Sequence, residues 1–134
     1  MASNLKYSNG TRDAQQQGLI TYAGTGALIK IYSGTQPANA NTAISSQTLL
    51  ASLPVSGSFG TDSNGTITLS AVTAATAVAT GTASFFRIFK SDGTTVVMDG
   101  SVGTSAADMI LDNTSIATGQ TVSITSGTII RANQ

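Results

Sequence analysis

Ser33 and Lys30 are the first pair in this chain with types suited to covalent chemistry, a hydroxyl and an amine three residues apart near the end of the apolar run ALIKIY (27–32). A lysine can activate a serine only if its amine reaches the hydroxyl. Side chains alternate between the faces of a strand, so an odd spacing puts these two on opposite sides. Ser33 also lacks the Gly-x-Ser-x-Gly frame of a nucleophile elbow, and the chain contains no His to take its proton. The stretch AGTGALIK (23–30) carries the glycines and lysine of a phosphate loop, but its glycines precede a strand where a phosphate loop needs a helix N-terminus. It reads as a tight turn.

The six acids are all Asp. Asp62 and Asn64 in TDSNG imitate half a calcium loop, without the downstream bidentate acid that such a loop requires. Asp108 and Asp112 bracket a short strand, and Asp92 and Asp99 flank a hairpin; turn capping accounts for most of them. No catalytic, cofactor-binding or metal-binding residue is therefore assigned. The three Asn-x-Ser/Thr matches at Asn9, Asn64 and Asn113 are the chance yield of a chain in which Ser and Thr exceed a quarter of the residues. Phe85, Phe86 and Phe89 suggest a stacking platform. Adjacent residues of a strand face opposite sides, however, so at least one of them packs in the core.

With no Cys there is no disulfide framework and no thiolate chemistry, and without His the usual neutral-pH base is missing. Six Lys and Arg balance the six Asp, and Lys6, Arg12, Lys30, Arg87, Lys90 and Arg131 are scattered, with only Arg87 and Lys90 close together. Nucleic-acid binding needs a cluster of cations, so it is not expected. No apolar run approaches the roughly 18 residues of a membrane span, and the first residues lack the apolar core of a secretory signal. This composition points to a rigid β protein that carries contacts, not catalysis.

The elements follow from periodicity. Residues 1–10 read as a polar arm with Leu5 and Tyr7 as anchors, and 11–23 as a helix with Thr11 as cap, against a competing strand over GLITYA (18–23). Strands are expected at 27–32, at 48–55 with Pro54 marking an edge, at 66–72, 82–90, 94–102, 108–112 and 120–130. The Ala/Thr-rich stretch 73–82 reads as a loop or a small-residue strand. Asn64-Gly65 and Asp92-Gly93 are hairpin turns. Seven or eight short strands about ten residues apart predict an all-β fold, an antiparallel β-sandwich of jelly-roll or immunoglobulin-like type spanning 27–134, with the arm and short helix in 1–26.

The run from Tyr32, Gly34 and Pro37 through Phe86 and Arg87, the hairpin Ser91, Asp92 and Gly93, and the pair Asp99 and Gly100 resembles a group of small tailed-bacteriophage virion structural proteins. The likeness covers about residues 27–130 and rests mainly on turn chemistry. It implies a non-enzymatic particle component without cofactor, located in the virion and assembled in the host bacterial cytoplasm. The resemblance further implies a capsid decoration (cement) protein, bound to the major capsid protein as a homo-oligomer, a trimer by expectation. A tail or fibre component bound to tail proteins is the alternative. Leu5 and Tyr7 are the candidate subunit contacts; neither a membrane nor a nucleic acid is an expected partner.

Overall fold

The computed structural model describes residues 4–130. Residues 1–3 of the expected arm, and 131–134 with Arg131, lie outside it. The chain opens with helix α1 (Asn9–Ala23), so the strand over GLITYA does not form. Its cap is Ser8, not Thr11: the Ser8 hydroxyl accepts from the Thr11 N–H at 3.1 Å, satisfying one of the donors a helix start leaves open. Gly24 ends the helix with φ 72, a conformation that favours glycine, and its N–H donates to the Ile20 carbonyl. No described helix is long and apolar enough to cross a membrane.

Among the described residues twelve strands follow: β1 (Leu28–Ser33), β2 (Thr48–Pro54), β3 (Gly60–Ser63), β4 (Thr66–Leu69), β5 (Ala75–Thr76), β6 (Gly81–Thr82), β7 (Phe85–Phe89), β8 (Val96–Gly103), β9 (Met109–Leu111), β10 (Ser115–Ile116), β11 (Thr121–Val122) and β12 (Ile124–Ile130). Eight of them form one sheet in the order β2-β1-β7-β8-β9-β12-β4-β3, and β10-β6 and β11-β5 form two small pairs. The expected β-rich class is observed, while the expected antiparallel pattern is not. β8 and β9 run parallel, through Val102↔Met109 and Gly103↔Ile110, and the sheet is mixed. Nor do the main strands divide into two facing sheets.

The parallel step has a local cause. Parallel neighbours usually need a crossover of a dozen or more residues. Here the five residues 104–108 suffice, because only two residue pairs are made and the link coils back through Ala106 at φ 51. The Asp108 carboxylate accepts from the Ser101 N–H and hydroxyl at 2.9 and 3.0 Å, and the Asp108 N–H donates to the Ser101 hydroxyl at 3.1 Å. That exchange holds the start of β9 level with the end of β8.

One core serves the whole sheet. Ile29, Leu53 and Ile88 from one end share a buried cluster with Ile67, Met109 and Ile129 from the other, so the sheet curls and packs its inner face against itself. The two-residue strands lie against this barrel-like interior, with Ala77 and Ala83 beside them buried, where small side chains let the chain approach closely. Ala27, Ile29 and Ile31 fill the core as the alternation of β1 requires, and Pro54 ends the expected edge strand β2. Asn64 at φ 50 and Gly65 at φ 80 make the β3–β4 turn, the geometry that matches strand twist.

Candidate functional site

β7 is buried at all five positions, which a strand with one wet face cannot be. Its inner face, Phe86 and Ile88, belongs to the core. Its outer face, Phe85, Arg87 and Phe89, is covered by what the sequence places elsewhere. Tyr32 stacks on Phe85 with ring centroids 5.2 Å apart, and the Lys30 ammonium sits 4.6 Å above the Phe89 ring. All three phenylalanines, and Phe59, are buried, so the strand presents no aromatic platform to solvent.

Between them Arg87 is only 2% exposed. Antiparallel pairing places Asp99 of β8 directly opposite, and the two form a two-bonded ion pair, Nε–Oδ1 at 2.6 Å and Nη2–Oδ2 at 2.8 Å. A charge this buried is tolerable only when its remaining donors are also engaged. Nη1 donates to the Thr42 carbonyl at 2.8 Å, and Nη2 reaches the Asn39 carbonyl at 3.5 Å. The hydrogen bond to Asp99 raises the Arg87 pKa above its ordinary value despite burial. Burial pushes the Tyr32 hydroxyl up, and the nearby Arg87 charge works against that rise.

The guanidinium thereby pins the loop 34–47, the fourteen residues that connect β1 to β2, to the sheet. Connections of this length without secondary structure are uncommon and are either functional loops or loose linkers, and this one is tied down. Other ties hold the same loop. The Gln47 amide donates to the Thr35 carbonyl at 2.6 Å, the Ser84 hydroxyl donates to the Gly34 carbonyl, and the Asn39 carboxamide oxygen accepts from the Asn41 N–H at 2.9 Å. The loop holds no charged side chain, and most of its residues are exposed. It is a fixed, neutral, polar surface.

The candidates for chemistry are placed otherwise. Lys30 donates to the Gly93 carbonyl at 3.3 Å, while Ser33 ends β1 against Gly81. In AGTG, Gly24 ends the helix and Gly26 donates its N–H to the Gly57 carbonyl on the way into β1. Asp62 accepts from the Gln17 side chain, Asp108 holds Ser101, and Asp92 accepts from the Thr94 and Thr95 N–H groups, both at 2.8 Å. The Thr95 hydroxyl, which donates to the other Asp92 oxygen at 2.6 Å, together with these backbone bonds holds the Asp92 carboxyl down at about 2. Asn113 accepts from the Ser115 N–H in a turn, and the Asn9 side chain accepts from Arg12. Among the described residues no three His, Cys, Asp or Glu side chains converge on a metal position.

Leu5 and Tyr7 lie in the short lead before α1, outside helix and strand, Leu5 exposed and Tyr7 half-buried. Arg87 and Lys90 do not act together, since Lys90 lies 3.9 Å above the Tyr22 ring. The clamp is the feature that composition and spacing missed. A signal for it exists: an Arg inside FFRIF must be paired if the strand is buried on both faces, and the return strand carries one Asp. Gln16 was also missed. It is a buried peg of α1 whose amide donates to the Gly65 and Ile129 carbonyls at 2.8 and 2.9 Å, with Asp13 accepting from the Gly65 N–H at 2.6 Å. No known protein family, curated protein or solved structure matches the chain.

Proposed function

We infer that this chain is a non-enzymatic structural subunit of a tailed-phage particle, a decoration protein that binds the outer capsid and presents the 34–47 loop as a contact surface. The observation that carries the contact role is the Arg87–Asp99 pair beneath that loop. A buried ion pair is an expensive device, and here it fixes fourteen residues that would otherwise pay ordering entropy on binding. The assignment to a phage head rests on the sequence resemblance over residues 27–130. The partner in this reading is the major capsid protein, met through neutral polar groups. Strength would come from many copies on symmetry-related positions, as avidity multiplies weak contacts.

A tail or fibre role in host attachment expects an exposed aromatic cluster. The burial of all four phenylalanines favours the capsid reading over it. Imaging of intact particles carrying a tagged subunit decides between them. Density on the capsid lattice is the expected result, and density on the tail alone overturns the assignment.

A further inference from the structure

β9 leaves a gap in the sheet. It is three residues long and pairs with β8 only at Val102 and Gly103, and with β12 only at Ile124, Ser126 and Gly127. Past its start, β8 (96–101) is paired only with β7, and β12 (128–130) only with β4. The hydrogen bonds determine which backbone groups face the opening. The Ser101 N–H points to Asp108 and the Val102 N–H to the Ser84 carbonyl, so alternation turns the Asp99 N–H and C=O away from β7. Likewise the Ser70 N–H bond to Phe59 sets the β3–β4 pairing so that Ile67 faces β12. Thr128 and Ile130 then turn their backbone groups into the gap. A cavity of about 200 Å³ lies there, lined by Phe86, Met98, Asp99, Asp108, Thr128 and Ile130. Backbone donors and acceptors on two facing strands, with apolar side chains between them, are what an added strand requires.

We propose that residues 4–7 of a second copy enter this gap as an added strand. Among the described residues the exposed large apolar ones are Leu5, Tyr22, Val78 and Ile130. Tyr22 is held in α1, Ile130 in β12, and the Val78 N–H donates to the Leu50 carbonyl. Leu5 lies ahead of α1, outside helix and strand, on a segment whose neighbours Lys6 and Tyr7 supply the alternation and charge an added strand needs here. In an extended chain Leu5 and Tyr7 share one side, suited to Phe86 and Met98. Lys6 between them brings a cation to a cavity where Asp108 accepts from Ser101 and has no cationic partner among the described residues. Within its own subunit the Leu5 side chain is 61% exposed, so it does not occupy the cavity. Insertion is an exchange between copies, which closes into a symmetric oligomer. This self-association is a property of the isolated protein and does not depend on the capsid assignment.

The chain has no cysteine, which makes disulfide trapping clean. Lys6→Cys, on the outer side of the inserted strand that it shares with the exposed Thr128, in one tagged copy and Thr128→Cys in a differently tagged copy are co-expressed and oxidised; a cross-link between the two tags is expected. Leu5→Asp should weaken self-association by about tenfold or more in sedimentation equilibrium, the order expected for losing one buried leucine. In the unmodified protein, hydrogen exchange at the Asp99 and Ile130 amides should slow as protein concentration rises. The proposal is overturned by folded cysteine variants that do not cross-link between copies, by a cross-link confined to one chain carrying both substitutions, or by amide protection that is independent of concentration.

Discussion

Arg87→Met tests the clamp at its centre. Methionine keeps much of the length and apolar volume of arginine, so the change removes charge and hydrogen bonds more than packing. It leaves Asp99, whose side chain is 5% exposed, without its cation, and it frees the Thr42 carbonyl. Breaking a buried pair by removing one partner costs about 3–5 kcal/mol, because an uncompensated charge remains. Against a total of roughly 7–20 kcal/mol for a chain of this size, the variant still folds. At about 3–5 °C per kcal/mol the melting midpoint falls by about 10–20 °C. Urea titration of Arg87→Met, Asp99→Leu and the double variant gives the cycle. The double variant removes the charge altogether and should recover to within about 1–2 kcal/mol of the parent. Limited proteolysis separates the two roles of the arginine: in Arg87→Met and in the double variant alike, cleavage within residues 38–46 should accelerate by about tenfold, since neither can hold the loop. A cost below about 1 kcal/mol for Arg87→Met, a double variant no more stable than the single, or unchanged cleavage would each refute the account of the clamp.

Gly60→Ala places a Cβ 2.4 Å from the Thr68 carbonyl and 2.9 Å from Ile67 Cγ2, so β3 must shift; a loss of about 1–3 kcal/mol is expected by thermal melting, and a neutral result means the strand moves freely. Gln16→Leu removes the peg to the Gly65 and Ile129 carbonyls and should cost about 1–3 kcal/mol, with faster exchange of the α1 amides. Unchanged helix exchange in that variant would show that α1 docks by other contacts. The Asp92 carboxyl should titrate by NMR with a midpoint at about 2. Because its folded pKa is depressed, its contribution to stability is present above the unfolded value of about 3.9 and is lost as pH falls through about 2. Asp92→Asn should therefore flatten the fall in stability between about pH 4 and pH 2, and an identical slope in parent and variant counts against the turn bonds.

Local chemistry was legible in the residues, and long-range pairing was not. The two turns, Asn64-Gly65 and Asp92-Gly93, depend on backbone conformations that few residue types adopt, so their composition announces them. The alternation of ALIKIY states which side of β1 meets the core, whatever strand lies beside it. The choice of neighbour is different, because any strand of suitable pattern can satisfy another's hydrogen bonds. The order β2-β1-β7-β8-β9-β12-β4-β3 and the parallel step at β9 follow from the Ser101–Asp108 exchange and from the curl of one sheet around one core. The helix prevailed over a strand at 18–23 because Gln16 finds carbonyls 49 and 113 residues away. In sequence Arg87 is one of six scattered cations, set apart only by its nearness to Lys90. Only the folded chain brings Asp99 opposite it and lays residues 39–42 across it, since burial is decided by what covers a residue and not by its neighbours in the chain.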